Sequence, residues 1–276
     1  MSNLSNHTGD LNIQHPELWT LEVALHERVL RYILFNSDQA NSLITGELPL
    51  PATGEDYLHR VENAIYDNHA LLNDYGRVRL LVDTPHFVLL PDEVSDDDAQ
   101  TLLQAQYPEL EGDTAVCQLP QCDVRLAFDL PRGLLGFLQR TFNMAPVVHH
   151  LQPLCEHYAR FSQNSSVRRM FLNLHDDRMD MVVFDHDRLQ LANTFGVRNA
   201  GEASFMALHA WDSLGLDAQS DELQLTGDKD VRDQMTAELR RYISYVMPAI
   251  FPAAAMRLSH DATLAPFNLI TLALCE

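Results

Sequence analysis

An α/β fold built from two similar halves is predicted by three observations. Apolar residues alternate in strand fashion in two separate places, Leu21 to Phe35 and Met170 to Leu191. Each is followed by a helical stripe, a short strand and a further helix, so the order strand, strand, strand, helix, strand, helix is read twice. With 276 residues, 46% hydrophobic and 21% charged, the chain can bury the core that one large domain or two modest ones require.

In the first half, Leu21, Val23 and Leu25 alternate up to a polar break at His26 to Arg28, and Val29, Arg31, Ile33 and Phe35 resume beyond it. This pattern reads as two strands joined by a tight turn. A third apolar stretch, Leu43 to Leu48, ends before Pro49 and Pro51. Leu58, Val61, Ile65 and Leu72 share a helical face, and Arg77 to Val82 returns to strand character. Ser95 to Tyr107 is a predicted helix: Ser95 caps it, Asp98 occupies the capping-box position, and Asp96 and Asp97 favour the positive end of the helix dipole. Val124 to Leu130 is a strand, Pro131 opens a helix reaching Phe142, and Leu151 to Phe161 is helical. The polar run Ser162-Gln163-Asn164-Ser165-Ser166 divides the chain, placing the halves at 1–163 and 164–276.

The second half opens with Met170, Leu172 and Leu174, turns at Asp176-Asp177, runs through Met179, Met181 and Val183, turns at Asp185-His186-Asp187, and continues at Leu189 and Leu191. That is a three-stranded meander. A helix over Gly201 to Leu214 and a strand over Glu222 to Thr226 follow, and Val231, Met235, Leu239, Tyr242, Ile243 and Val246 trace a last helical face.

Charge narrows the partners. Against 39 acidic residues stand 19 basic ones, a formal net charge of −20, and that field repels phosphate backbones and anionic headgroups. Nucleic acid and membrane are therefore excluded as expected partners. The amino terminus has neither a basic cluster nor an apolar run, and Met247 to Met256 is broken by Pro248 and Pro252, so a cytoplasmic protein is expected. Cys117, Cys122, Cys155 and Cys275 form no CxxC pair and read as reduced thiols.

A duplicated meander-then-helix unit is the layout of the actin-like ATPase fold, a branch of the ribonuclease-H-like architecture. The Leu21-Glu22-Val23-Ala24-Leu25 strand, the Phe171-Leu172-Asn173-Leu174-His175-Asp176-Asp177 opening of the second half, and the ending Pro266-Phe267-Asn268-Leu269 through Cys275-Glu276 carry a closer likeness. On them the chain resembles a family of Bacteroidota proteins classed as a domain of unknown function, similar in fold to actin-like ATPases and to the assembly proteins of type IV pili and type II secretion. The resemblance implies two actin-like subdomains with mixed sheets flanked by helices. It also implies phosphates held between two Asp-x-Gly turns, where a carboxylate positions hydrated metal and glycine admits backbone N–H groups.

Neither turn of this chain keeps the glycine. The first reads Leu25-His26-Glu27-Arg28; the second, His175-Asp176-Asp177-Arg178, keeps a carboxylate only. The segment that would hold adenosine, Leu225-Thr226-Gly227-Asp228, keeps one glycine of two. Any retained site for ATP and magnesium would therefore use Asp176 near the metal and Gly227 near the base.

Other groupings are weaker. His175-Asp176-Asp177 and Asp185-His186-Asp187 sit at opposite ends of one strand, about 30 Å apart at about 3.3 Å per residue, and cannot share an ion. His260-Asp261 is the remaining metal pair, with Asp261 read instead as a helix N-cap. His149, His150 and His157 read as solvated, and no HExxH, G-x-S-x-G or P-loop motif occurs. No catalytic or metal residue is assigned. The expected role is a non-catalytic one, binding a protein partner or acting as a scaffold on a degenerate actin-like fold. The alternatives are an ATP-binding protein with weak or no hydrolysis and a metal-dependent hydrolase around His260 and Asp261.

Overall fold

The computed structural model describes residues 13–52, 54–163, 165–175 and 177–275. In the first half the chain forms β1 (Thr20–Leu25), β2 (Val29–Phe35), β3 (Ile44–Pro49), α1 (Tyr57–Tyr66), β4 (Arg77–Val82), β5 (Phe87–Pro91), α2 (Asp96–Gln106), β6 (Asp113–Leu119), β7 (Val124–Leu130), α3 (Leu134–Thr141), β8 (Val147–His149) and α4 (Leu151–Ser162). The second half continues with β9 (Arg169–His175), β10 (Arg178–Asp185), β11 (Arg188–Gly196), α5 (Ala200–Ser213), β12 (Glu222–Gly227), α6 (Lys229–Leu239), β13 (Tyr245–Pro248), α7 (Ala253–Leu258) and α8 (Phe267–Ala273).

Two five-stranded sheets share one plan, β3-β2-β1-β4-β8 and β11-β10-β9-β12-β13. In each, the first three strands of the half are antiparallel, and a helix crossover brings the next strand in parallel beside the first: β4 beside β1, β12 beside β9. The predicted duplication is thus real at the level of topology. The strands beside the crossovers are buried on both faces, as parallel pairing between helix layers requires; all five residues of β1 after Thr20 are buried, including Glu22.

The structure adds a third sheet, β5-β7-β6, inserted between β4 and β8 and covered by α2. The sequence pattern shows β7, the covering helix α2 and, with Cys117 and Cys122 flanking Pro120, the hairpin that joins β6 to β7; it does not show β5, which is short. Ser95 caps α2 as expected: its Oγ accepts from Asp98 N–H at 3.2 Å and donates to the Asp98 carboxylate at 2.7 Å. One expectation fails. The last helical face does not run to Val246, since α6 stops at Leu239 and Val246 lies in β13 beside Leu223. Ile243 and Val246 are buried as the pattern demanded, but the burial comes from a turn and a strand, which an apolar spacing alone cannot distinguish from a helix.

Helix α4 lies between the sheets. It buries Leu151, Leu154, Cys155, Tyr158 and Ala159, and Tyr158 stacks on Phe171 of β9 with centroids 3.9 Å apart, so a single core spans both halves. The far side of the second sheet packs on α5 and α6. The far side of the first sheet, through Ala24, Ile33, Phe35 and Leu81, packs on α7 and α8, which return across the molecule after β13. No helix among the described residues is long and apolar enough to cross a membrane.

Candidate functional site between the two sheets

The β1–β2 turn and the β9–β10 turn face each other, and the ends of β4 and β12 lie behind them. At the mouth, Arg28 Nη2 donates to Asp177 Oδ2 at 3.0 Å, a pair half to two-thirds exposed. Arg28 is held by its own turn, where its N–H meets His26 Nδ1 at 3.3 Å and His26 N–H donates to Val29 O.

Deeper in, four side chains from four elements form a closed ring. Asp83 follows β4, and its N–H donates to Leu25 O; His150 opens α4, with its N–H on Val82 O. His175 ends β9 and Asp180 lies within β10. His150 sets Nε2 3.0 Å from Asp180 Oδ1 and Nδ1 3.6 Å from Asp83 Oδ1; His175 sets Nε2 2.9 Å from Asp180 Oδ2 and Nδ1 3.5 Å from Asp83 Oδ2. Each imidazole therefore stands between the same two carboxylates. Arg178 donates to Asp83 Oδ1 at 2.6 Å. Asp180 also accepts from Thr194 Oγ1 at 2.9 Å and Asn173 Nδ2 at 3.0 Å, and Thr226 Oγ1 holds Asn173 Oδ1 at 3.0 Å.

Burial alone would raise the pKa of Asp180, yet the charges and hydrogen bonds of His175 and His150 prevail and hold its carboxyl well below the usual range. Behind the ring, His149 donates from Nε2 to Thr84 O and accepts at Nδ1 from Leu151 N–H, which fixes one neutral tautomer. Burial pushes its basicity well down, and its ring lies 4.2 Å from that of His150.

These positions revise the reading of the histidines. His149 and His150 are fully buried, not solvated. Sequence pattern cannot show that His149 ends β8, paired beside β4, and that His150 starts α4 between the sheets. His175 and His186 do lie at opposite ends of β10, His175 beside its start and His186 beyond its end. His260 is exposed, and among the described residues it joins no group of metal-ligating side chains. The final helix starts at Phe267 after Pro266, and the side chain of Asp261 lies outside the described residues, as does Asp176.

Gly227 ends β12 at φ +91, and a Cβ there would stand 1.8 Å from Leu174 O, so the backbone itself demands glycine. Asp228 then caps α6, accepting from Asp230 and Val231 N–H. Sequence reasoning missed Asp83, His150 and Asp180 as one group. A signal was present for Asp180: an acid between Met179 and Met181 in a strand without a solvent face needs a buried partner.

Paired sheets of identical order, each opened by an antiparallel triplet and joined through α4, define the class: an actin-like ATPase fold. A crystal structure from Bacteroides thetaiotaomicron, described as a protein with actin-like ATPase fold and unknown function, is similar at a TM-score of 0.80 and 20% identity, covering 97% of this chain and 100% of that one. The PilM-PilN type IV pilus biogenesis complex is similar at 0.54 and 11%, covering 93% and 99%. The cytoplasmic domain of EpsL, from the type II secretion system of Vibrio cholerae, is similar at 0.48 and 13%, covering 90% and 95%. Residues 8–246 match the family described as "Protein of unknown function (DUF3822)", and the chain belongs to it. No curated protein matches the chain.

Proposed function

We propose that this protein works without nucleotide turnover, as an actin-like body that binds another protein. The observation that carries the reading is the Arg28–Asp177 contact. The fold likeness implies that phosphates would rest between these two turns, and here an arginine from one turn reaches a carboxylate on the other, with no glycine in either to admit a phosphate against backbone N–H groups. The PilM-PilN complex supports the second half of the reading, because there the same fold takes part in a protein assembly.

The test is thermal unfolding of the whole chain with magnesium and millimolar ATP, followed by a phosphate-release assay. A ligand at about 100 times its Kd would stabilise by about 2.7 kcal/mol, and no shift and no release are expected. A shift without release would move the assignment to an ATP-binding protein with Asp176 and Gly227 as its contacts. Release at an enzymatic rate would overturn the non-catalytic reading. Partner binding is tested by affinity capture from native lysate at several salt concentrations; consistent recovery of the chain alone would overturn that part.

A further inference from the structure

We propose that His150, His175 and Asp180 form a binding site for a divalent transition-metal ion of the zinc type, oriented by Asp83. Their ligand atoms lie within 4.8 Å of one another. The side chains come from α4, β9 and β10, so the convergence is tertiary and owes nothing to sequence proximity. His150 and Asp180 are fully buried and His175 is 15% exposed.

Each imidazole stands between two carboxylates, and in its neutral form it has a single N–H to offer them. If His150 donates from Nε2 to Asp180, its Nδ1 lone pair faces Asp83 Oδ1; that nitrogen is buried and has no hydrogen-bond partner. An ion bound by the Nε2 atoms and Asp180 removes the conflict. Both rings then carry their proton on Nδ1, directed at Asp83, which is the carboxylate–histidine–metal arrangement that fixes tautomer and raises ligand basicity. The remaining outer partners are already built: Arg178 on Asp83, Thr194 and Asn173 on Asp180. Two nitrogen donors and one carboxylate suit zinc, cobalt or nickel and disfavour magnesium and calcium, which prefer oxygen. Since His150 belongs to the helix between the sheets and the other two ligands to the second sheet, the ion would tie them together.

The proposal does not rest on the nucleotide-free reading, since ATP binding and metal binding are measured separately. The experiment titrates the chelator-treated full chain with Co2+ and reads the visible absorption, with Mg2+ and Zn2+ as competitors. One equivalent of Co2+ with the intense absorption of a low-coordinate nitrogen-ligated site, displaced by Zn2+ and not by Mg2+, is expected. His175→Gln should weaken binding by more than about 100-fold, beyond the 10–100-fold typical of outer partners, while the exposed His186→Gln leaves it unchanged. Only the weak spectrum of aqueous cobalt would overturn the proposal, because the −20 charge attracts cations loosely at the surface. Equal binding by wild type and His175→Gln would also overturn it. Should His175→Gln fail to fold, the wild-type spectrum and stoichiometry decide alone.

Discussion

His150 Nε2 and Asp180 Oδ1 meet at 3.0 Å with neither side chain exposed to solvent. The contact joins the helix between the two sheets to the middle of β10, so a buried polar pair links the halves. Removing one partner of such a pair leaves the other buried and uncompensated, which costs about 3–5 kcal/mol. Asp180→Asn should lose that much in urea unfolding. The pH dependence follows from the depressed pKa of Asp180: its contribution is full above the unfolded carboxyl value of about 3.9 and is lost as pH falls through the still lower folded value. Acid titrations of stability should show wild type losing more than Asp180→Asn in that window.

Glu22 gives the opposite slope. It is buried in β1 against Arg79, and burial outweighs the guanidinium, raising its pKa to about 8. The folded chain then holds a proton that the unfolded chain releases near about 4.3, so this group's contribution to stability falls as pH rises from there to about 8 and is level above. Glu22→Gln should flatten the wild-type slope of Tm between pH 5 and 8. An unchanged slope would show that Glu22 is ionised in the fold.

Gly227→Ala should destabilise by about 2 kcal/mol or more, since the new Cβ meets the Leu174 carbonyl and the residue sits at positive φ. Chemical unfolding checks it. A neutral result would mean that β12 and β9 can part at that end without loss.

Arg28→Ala should change stability by no more than about 1 kcal/mol, because Arg28 and Asp177 are 69% and 49% exposed and solvent screens the pair. The comparison with Asp180→Asn separates the mouth of the cleft from its floor. A loss as large as that of Asp180→Asn would place the main link between the halves at the turns.

The sequence made the two meanders legible because each strand alternates against a covering helix, and period-2 and period-3.6 patterns survive without any knowledge of partners. Ser95 was legible because a cap is local. The ring of Asp83, His150, His175 and Asp180 was not, since its members are drawn from four elements and only sheet registry brings them together. Asp83 follows directly on β4, where a terminal acid reads as a turn residue, and His150 sits in a pair of histidines that reads as solvated. The inserted sheet was only partly visible because β6 mixes Asp113, Thr114 and Gln118 with its apolar residues and gives no clean alternation.

The return of α7 and α8 to the first sheet has a meaning in time. During synthesis Ala24, Ile33, Phe35 and Leu81 leave the ribosome well before the residues that cover them, Ala255, Leu258, Leu269 and Ile270 among them, which follow β13. The first half can pair its strands while the second is still being translated, but one face of it stays bare until α7 and α8 have emerged. The nascent protein thus carries an exposed apolar surface throughout synthesis of the second sheet, a state that attracts chaperones and favours aggregation. A stalled or prematurely terminated chain would keep that surface, and the cell's quality control could recognise it by this face.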